Sequence, residues 1–235
     1  MAFNFFRRWF PAKDDVSKPK AAAWQAFGML RREYKGEPLD EKEVDKNPIV
    51  QFSVWFNEAL NAIKDDPNAM IVGTVNDDGQ PSTRTVLLKG FDESGFVFYT
   101  NYDSRKGSDL MKNPKVSLTF YWPELMRQIH IAGVAEKSSE EMSDIYFNSR
   151  PVGSRLSAAL SKQSSVVGSR EELEAKLREL ELKYSDGNVP RPENWGGIIV
   201  KPHRIEFWQG RLNRLHDRVC YTKEGDNWNI QRLSP

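Results

Sequence analysis

Residues 69–89 read Ala69-Met70-Ile71-Val72-Gly73-Thr74-Val75-Asn76-Asp77-Asp78-Gly79-Gln80-Pro81-Ser82-Thr83-Arg84-Thr85-Val86-Leu87-Leu88-Lys89, and their period decides the fold. Ala69 to Val75 has the composition of a strand, Asn76-Asp77-Asp78-Gly79 supplies a turn, and Ser82 to Lys89 returns as the second arm of a hairpin. Further strands are predicted at Phe96 to Asn101, Lys115 to Trp122 and Arg127 to Lys137. No helical pattern between these five strands is long enough for a parallel crossover. The spacing therefore predicts an antiparallel meander or a Greek-key barrel.

On the N-terminal side, Asn47 can cap a helix, Pro48 fits its first position, and Ile49, Phe52, Phe56, Leu60 and Ile63 recur at helical spacing. A short helix from Ala21 to Tyr34 is expected before it. The first twenty residues hold Pro11, Pro19 and no clean period, and read as a flexible tail; Asp14 and Asp15 argue against a targeting peptide without excluding one. On the C-terminal side, Ser138 with Glu141 should open a helix that reaches Arg150 and stops at Pro151. Ser169 with Glu172 forms a capping box for a charged helix ending near Gly187. Strands resume at Gly197 to Val200, Arg204 to Gln209 and Arg218 to Thr222, and a last hairpin closes with Trp228 to Leu233.

The chain has 235 residues, 39% of them hydrophobic and 29% charged, with a formal net charge of +1. Such near-neutrality argues against broad nucleic-acid binding, which needs an excess of cations. There is no run of eighteen apolar residues, so no membrane span is expected. The one cysteine, Cys220, cannot form an intrachain disulfide and is read as a packing residue in a reducing, cytoplasmic compartment. There is no dinucleotide or phosphate-loop glycine motif and no zinc-type spacing.

Several cations stand where a surface charge would be odd. Arg84 and Lys89 bracket an apolar strand interior, although strict alternation puts them on opposite faces unless a bulge or strand end intervenes. Arg105 and Lys106 precede a short helix expected at Ser108 to Lys112, whose N–H groups would help to hold a phosphate. Taken alone, either pair is more often solvated. Tyr146 and Arg150 share a helical face and are followed by Ser154, a set suited to a terminal phosphate or simply a polar helix end. In Ile205-Glu206-Phe207-Trp208-Gln209-Gly210-Arg211-Leu212-Asn213-Arg214-Leu215-His216-Asp217-Arg218, an extended conformation would project Arg214, His216 and Arg218 to one side. Three such groups repel unless an anion lies against them.

The segment from Glu206 to Arg218 is similar to the signature of the pyridoxine (pyridoxamine) 5′-phosphate oxidases. Further matches are Arg84 to Lys89, Tyr99-Thr100, Ser104 to Gly107, Arg127-Gln128, Tyr146 to Pro151, Ser161 to Ser165, Trp195-Gly196-Gly197 and Arg232 to Pro235. The resemblance runs from about residue 31 to the C-terminus, and the first thirty residues have no counterpart. It implies a mainly β fold with flanking helices (α+β): a single FMN-binding split-barrel domain over 31–235, built on an antiparallel, Greek-key-like six-stranded barrel. It also implies a homodimer with two FMN molecules in clefts at the interface.

Carried over by position, the resemblance implies that Arg84, Arg105 and Lys106 hold the FMN phosphate region. Thr85, Val86, Leu87, Tyr99 and Thr100 would contact the flavin, with Gln128, Gln163, Ser164, Trp208 and Arg218 completing that site. Lys89, Tyr146, Arg150 and Ser154 would clamp the substrate phosphate, Arg214 and His216 would cover the pyridine ring as catalytic residues, and Arg31 to Tyr34 would close over the substrate. Thr85 stands where many relatives carry a larger apolar residue. The implied reaction moves a hydride from the C4′ carbon of pyridoxine or pyridoxamine 5′-phosphate to flavin N5, with O2 returned as hydrogen peroxide and the aldehyde as product. Two rivals stand beside it: another split-barrel flavoprotein without B6 chemistry, and a colourless anion-binding interaction domain.

Overall fold

A computed structural model describes residues 32–235. Five helices, α1 (Pro48–Ala62), α2 (Arg105–Lys112), α3 (Glu140–Ser149), α4 (Val152–Leu160) and α5 (Arg170–Lys183), flank nine strands. The strands are β1 (Ala69–Val75), β2 (Pro81–Leu87), β3 (Gly90–Asp92), β4 (Gly95–Asn101), β5 (Lys115–Trp122), β6 (Arg127–Lys137), β7 (Trp195–Gln209), β8 (Asp217–Glu224) and β9 (Asn227–Arg232). All pairs are antiparallel, in the order β2-β1-β5-β6-β7-β4-β3, with β8 and β9 continuing from the far half of β7. The sheet curls into a split barrel, so the expected class holds, and all nine strands belong to one sheet.

The alternation seen in the sequence sorts each strand into two faces. On β5, Val116, Leu118, Phe120 and Trp122 are buried while Lys115 and Tyr121 are exposed. The inner face closes around α1, where Asn47 accepts from the Ile49 N–H. Phe52 is fully buried, its ring 4.7 to 5.2 Å from those of Phe91, Phe96 and Phe120, and Trp55 meets Phe207 edge-on at 5.2 Å. The buried stripe includes Trp55 and Ala59, whereas Leu60, expected on it, is 50% exposed. Buried aromatic area of this kind dominates the stability of such a core.

Gly197 to Val200 and Arg204 to Gln209 were expected as separate strands, but they are one: β7 passes through Pro202 without ending. Proline has no N–H to give the ladder, and the register with β6 slips between Ala132 and Gly133 opposite it. A Cβ on Gly133 would lie 2.4 Å from the Lys201 carbonyl oxygen, so only glycine admits the close approach. The first half of β7 pairs with β4 and the second half with β8. The strand thereby links the two parts of the barrel.

A smaller core of Phe147, Leu156, Val189 and Trp195 joins α3, α4 and α5 to the sheet. The α3 cap is Ser139, not Ser138, because Ser139 accepts from the Met142 N–H. Helix α4, which begins directly after Pro151, was not anticipated; α5 is capped by Ser169 as expected and ends earlier, at Lys183. Residues 32–34 are not helical, and the rest of the helix expected at Ala21 to Tyr34 lies outside the described residues. Cys220 is buried, as its reading required. Among the described residues no helix is long and apolar enough to cross a membrane.

Candidate functional site

A cleft of about 730 Å³ opens beside β2. Among the described residues this strand pairs only with β1, so its other edge presents main-chain N–H and C=O groups of Thr85, Val86 and Leu87 to the cleft. The opposite wall comes from Tyr99 and Thr100 on β4, the start of α2, and residues of α3 and α4. Arg84 and Lys89 both line it. Because β2 ends at Leu87 and the Lys89 N–H turns to the Val97 carbonyl (2.8 Å), alternation no longer separates them.

One end of the cleft concentrates positive charge. Arg105 and Lys106 do not precede α2 but form its first turn, because Ser104 caps the helix by accepting from the Gly107 N–H. Lys106 Nζ donates to Thr100 Oγ1 (3.0 Å) and Gln163 Oε1 (3.0 Å), and the Arg105 N–H donates to Ser164 Oγ (3.3 Å). Arg84 donates to Thr74 Oγ1 (2.8 Å) and Ser82 Oγ (2.9 Å), and Thr74 in turn donates to Asp109 (2.7 Å). Burial and the neighbouring Arg84 charge push the Lys106 ammonium below the usual lysine range, and burial does the same to Arg84 against the pull of Asp109. None of the cleft cations Arg84, Lys89, Arg105, Lys106 and Arg150 has a carboxylate partner in salt-bridge reach among the described residues. Grouped cations without counter-charges make a ready anion site.

The other end is aromatic. Tyr99 and Tyr146 stack at 3.9 Å, and Tyr99 stacks on Trp195 at 5.5 Å. Gly197, the cross-strand partner of Tyr99, makes room for this, since a Cβ there would lie 3.1 Å from the Tyr99 ring. Arg150 caps the C-terminus of α3 beside these rings, and burial lowers its affinity for its proton. Its Nη1 is buried and has no hydrogen-bond partner among the described residues.

Thirteen expected residues therefore meet in one cavity: Arg84, Thr85, Val86, Leu87, Lys89, Tyr99, Thr100, Arg105, Lys106, Tyr146, Arg150, Gln163 and Ser164. Ser154 does not line it; it lies in the first turn of α4, its N–H bonded to the Pro151 carbonyl. Trp195, Ser157, Ala158 and Ser161 do line it, although none was proposed as a site residue. Ser157 and Ala158 lie on α4, which the sequence did not announce, and Ser161 and Trp195 carried only their places in matched motifs.

The remaining candidates gather elsewhere. Tyr34, Trp208 and His216 form a triad of rings with centroids 4.6 to 5.6 Å apart, and Gln128 faces Trp208 across the β6–β7 ladder. Residues 214–218 are not uniformly extended as expected. Leu212–Arg214 form a 3-10 turn in which Asn213 (φ 54°) and Arg214 (φ 61°) are left-handed, so Arg214, His216 and Arg218 do not form one row. Arg214 is exposed; His216 accepts from the Arg211 N–H (3.1 Å), and burial and Arg214 lower its proton affinity against Asp217. Arg218 is paired with Glu206 (2.7 Å). Arg31 lies outside the described residues.

The two clusters share one surface. Thr85, Ile71, Thr119, His130, Glu206 and Cys220 are successive cross-strand partners, so β2, β1, β5, β6, β7 and β8 turn these positions to the same face. Four strand steps separate β2 from β7, about 19 Å along the sheet at roughly 4.8 Å per step. On this face Ile71, Tyr121 and Val134 are 44%, 52% and 45% exposed.

Residues 56–184 match the family described as pyridoxamine 5′-phosphate oxidase, and residues 195–235 match the pyridoxine 5′-phosphate oxidase C-terminal dimerisation region. A pyridoxine/pyridoxamine 5′-phosphate oxidase from Nostoc sp. is 55% identical over 207 residues, covering 88% of this chain and 97% of that protein. The crystal structure of PhzG from Burkholderia lata, in complex with tetrahydrophenazine-1-carboxylic acid, superposes with a TM-score of 0.80 at 31% identity, over 86% of this chain and all of that one. A pyridoxamine 5′-phosphate oxidase-related, FMN-binding protein from Nostoc punctiforme shares the fold, with a TM-score of 0.67 at 16% identity over 82% of this chain and all of that one.

Proposed function

The chain belongs to the pyridoxamine 5′-phosphate oxidase family, whose cofactor is FMN, and on that premise we propose that it is a homodimeric oxidase making pyridoxal 5′-phosphate from pyridoxamine or pyridoxine 5′-phosphate. The observation that carries this reading is the pairing, in one cavity, of a cationic end built by Arg84, Arg105 and Lys106 with a second cation, Arg150, whose buried Nη1 lacks a partner. Two anion sockets suit one cofactor phosphate and one substrate phosphate.

The residues fit FMN. Lys106, Arg84 and the start of α2 would take its phosphate, and the free edge of β2 offers main-chain donors and acceptors to a flat heterocycle. When bound, FMN supplies hydride acceptance and the return of both electrons to O2. Lys89, Tyr146 and Arg150 would fix the substrate phosphate, so that binding energy remote from C4′ is used for orientation. Arg214 and His216 would cover the pyridine ring. His216 is held at Nδ1 by the Arg211 N–H, which fixes the ring plane and leaves Nε2 for the substrate.

The separation of the two clusters, together with the matched dimerisation region, supports a homodimer. Trp208, Arg214, His216 and Arg218 do not line the cleft of their own protomer. A two-fold related copy seated on the shared face would bring them to its partner's cleft. The exposed Ile71, Tyr121 and Val134 would be covered in the process.

The likeness to PhzG favours a second reading, a flavoenzyme acting on a tricyclic carboxylic acid. Anaerobic mixing with pyridoxamine 5′-phosphate decides: flavin bleaching, reversed by air with release of peroxide, is expected. Failure to bleach with the phosphate ester, together with bleaching by a reduced phenazine carboxylic acid, would favour the second.

A further inference from the structure

The Arg150 guanidinium is held without being neutralised. Its carbon lies 4.7 Å from the Trp195 ring centroid and 5.7 Å from that of Phe147, and no carboxylate pairs with it among the described residues. Arginine held by an acid spends its donors on that acid; arginine held by the face of an indole keeps its N–H groups free and its charge available. We propose that Trp195 is a positioning residue for anion recognition, a π-platform that presents Arg150 to a phosphate ester. This rests on the proposed function and gives the substrate end of the cleft a member to which the resemblance assigned no role.

Trp195 is suited to the task because it is itself immobilised. Only 7% of it is exposed. Its carbonyl accepts from Arg191 Nη1 (2.7 Å), and the same guanidinium bonds Asp144 (2.6 Å) and Glu140 on α3. The helix that ends in Arg150 and the strand that begins with Trp195 are thus tied together near the start of each. Trp195 also stacks on Tyr99 at 13° and lies parallel to Tyr146 at 5°. Gly196 and Gly197 follow, and a Cβ on Gly196 would fall 2.1 Å from the Tyr102 hydroxyl, so the strand start can occupy this place only with glycine there.

The test uses the FMN-loaded dimer. Trp195→Leu keeps an apolar side chain but loses the ring face, and should raise KM for pyridoxine 5′-phosphate about tenfold, within the range of a desolvated cation–π contact. FMN occupancy and kcat should change by less than about twofold. Trp195→Phe should recover most of the loss. In an Arg150→Ala background Trp195→Leu should add nothing further, an outcome that a merely structural role for the indole would not give. Full additivity of the two substitutions, or an unchanged KM in Trp195→Leu, would overturn the proposal. Inorganic phosphate as a competing ligand separates this idea from the reaction itself. If the wild-type protein binds phosphate but does not oxidise the ester, the proposed function fails, and the same double-mutant cycle on phosphate affinity still decides the role of Trp195.

Discussion

Arg218 and Glu206 are joined across the β7–β8 ladder, Nε to Oε1 at 2.7 Å, while Arg204 takes the other carboxylate oxygen at 2.7 Å. The carboxylate is 9% exposed and is flanked by two cations, so it satisfies charges that would otherwise repel on the outward face. Burial pushes the Glu206 carboxyl up, but its two arginine partners outweigh that and hold it below the usual range.

Glu206→Gln should destabilise the protein by about 2 kcal/mol, since removing one member of a paired set leaves the others uncompensated. Denaturant unfolding at neutral pH checks this. An unchanged midpoint would mean that both arginines find other partners.

His130 sits directly opposite Glu206 in register, with Arg204 beside it. Burial, then Arg204, lowers its proton affinity against the pull of Glu206. The unfolded chain therefore binds the proton more readily. His130 thus contributes stability that is present above about 6.5 and lost as pH falls through the lower folded value, at no more than about 1.4 kcal/mol per pH unit. Glu206 works in the same direction in a lower window, below its unfolded value near 4.5. His130→Gln should flatten the upper limb alone in a series of melts between pH 7 and pH 5.

Lys106→Met should weaken FMN retention by roughly ten- to a hundredfold, the worth of a charge-assisted hydrogen bond to phosphate. Flavin fluorescence recovery on dilution measures it, and the loss should grow with salt. Equal retention would remove Lys106 from the phosphate end.

Arg150→Met is expected to raise Tm of the substrate-free, FMN-loaded protein by a few degrees, because a buried, unpartnered Nη1 is removed. KM for the phosphate ester should rise with flavin content intact. A lower Tm combined with an unchanged KM would make Arg150 a structural residue.

Arg214→Ala should cut kcat far more than FMN occupancy, because Arg214 is exposed and makes no contact that builds the cleft. Stopped-flow bleaching separates the two effects. Parallel loss of turnover and flavin would reassign Arg214 to the cofactor.

Much of this was legible before any coordinates. Strand period and turn chemistry placed β5 and β6 to the residue, and the Asn47 cap and Pro48 set the start of α1. What escaped was non-local or short. Helix α4 follows α3 across Arg150 and Pro151, and a proline there reads as a stop unless the next turn is seen to pack, as Leu156 does against Phe147. The two expected strands around Pro202 are one, because a lone chain cannot show that Gly133 yields opposite the proline. The left-handed Asn213 and Arg214 defeated the alternation argument for Arg214, His216 and Arg218. The cleft residues were nameable one by one, whereas their division into two clusters depends on sheet order, which no local period encodes.

Strand β7 carries Trp195 at one end and Trp208 near the other without a break. It serves as a ruler: the interval between the aromatic wall of the cleft and the ring triad beside His216 is a fixed number of peptide units, roughly 40 Å of contour at about 3.3 Å each. An added or deleted residue on either side of Pro202 would reverse the side chains beyond it and break the match with β6 at once. A change of chain length is therefore better borne off this strand, as at 166–168, where the residues are exposed and do not line the cleft.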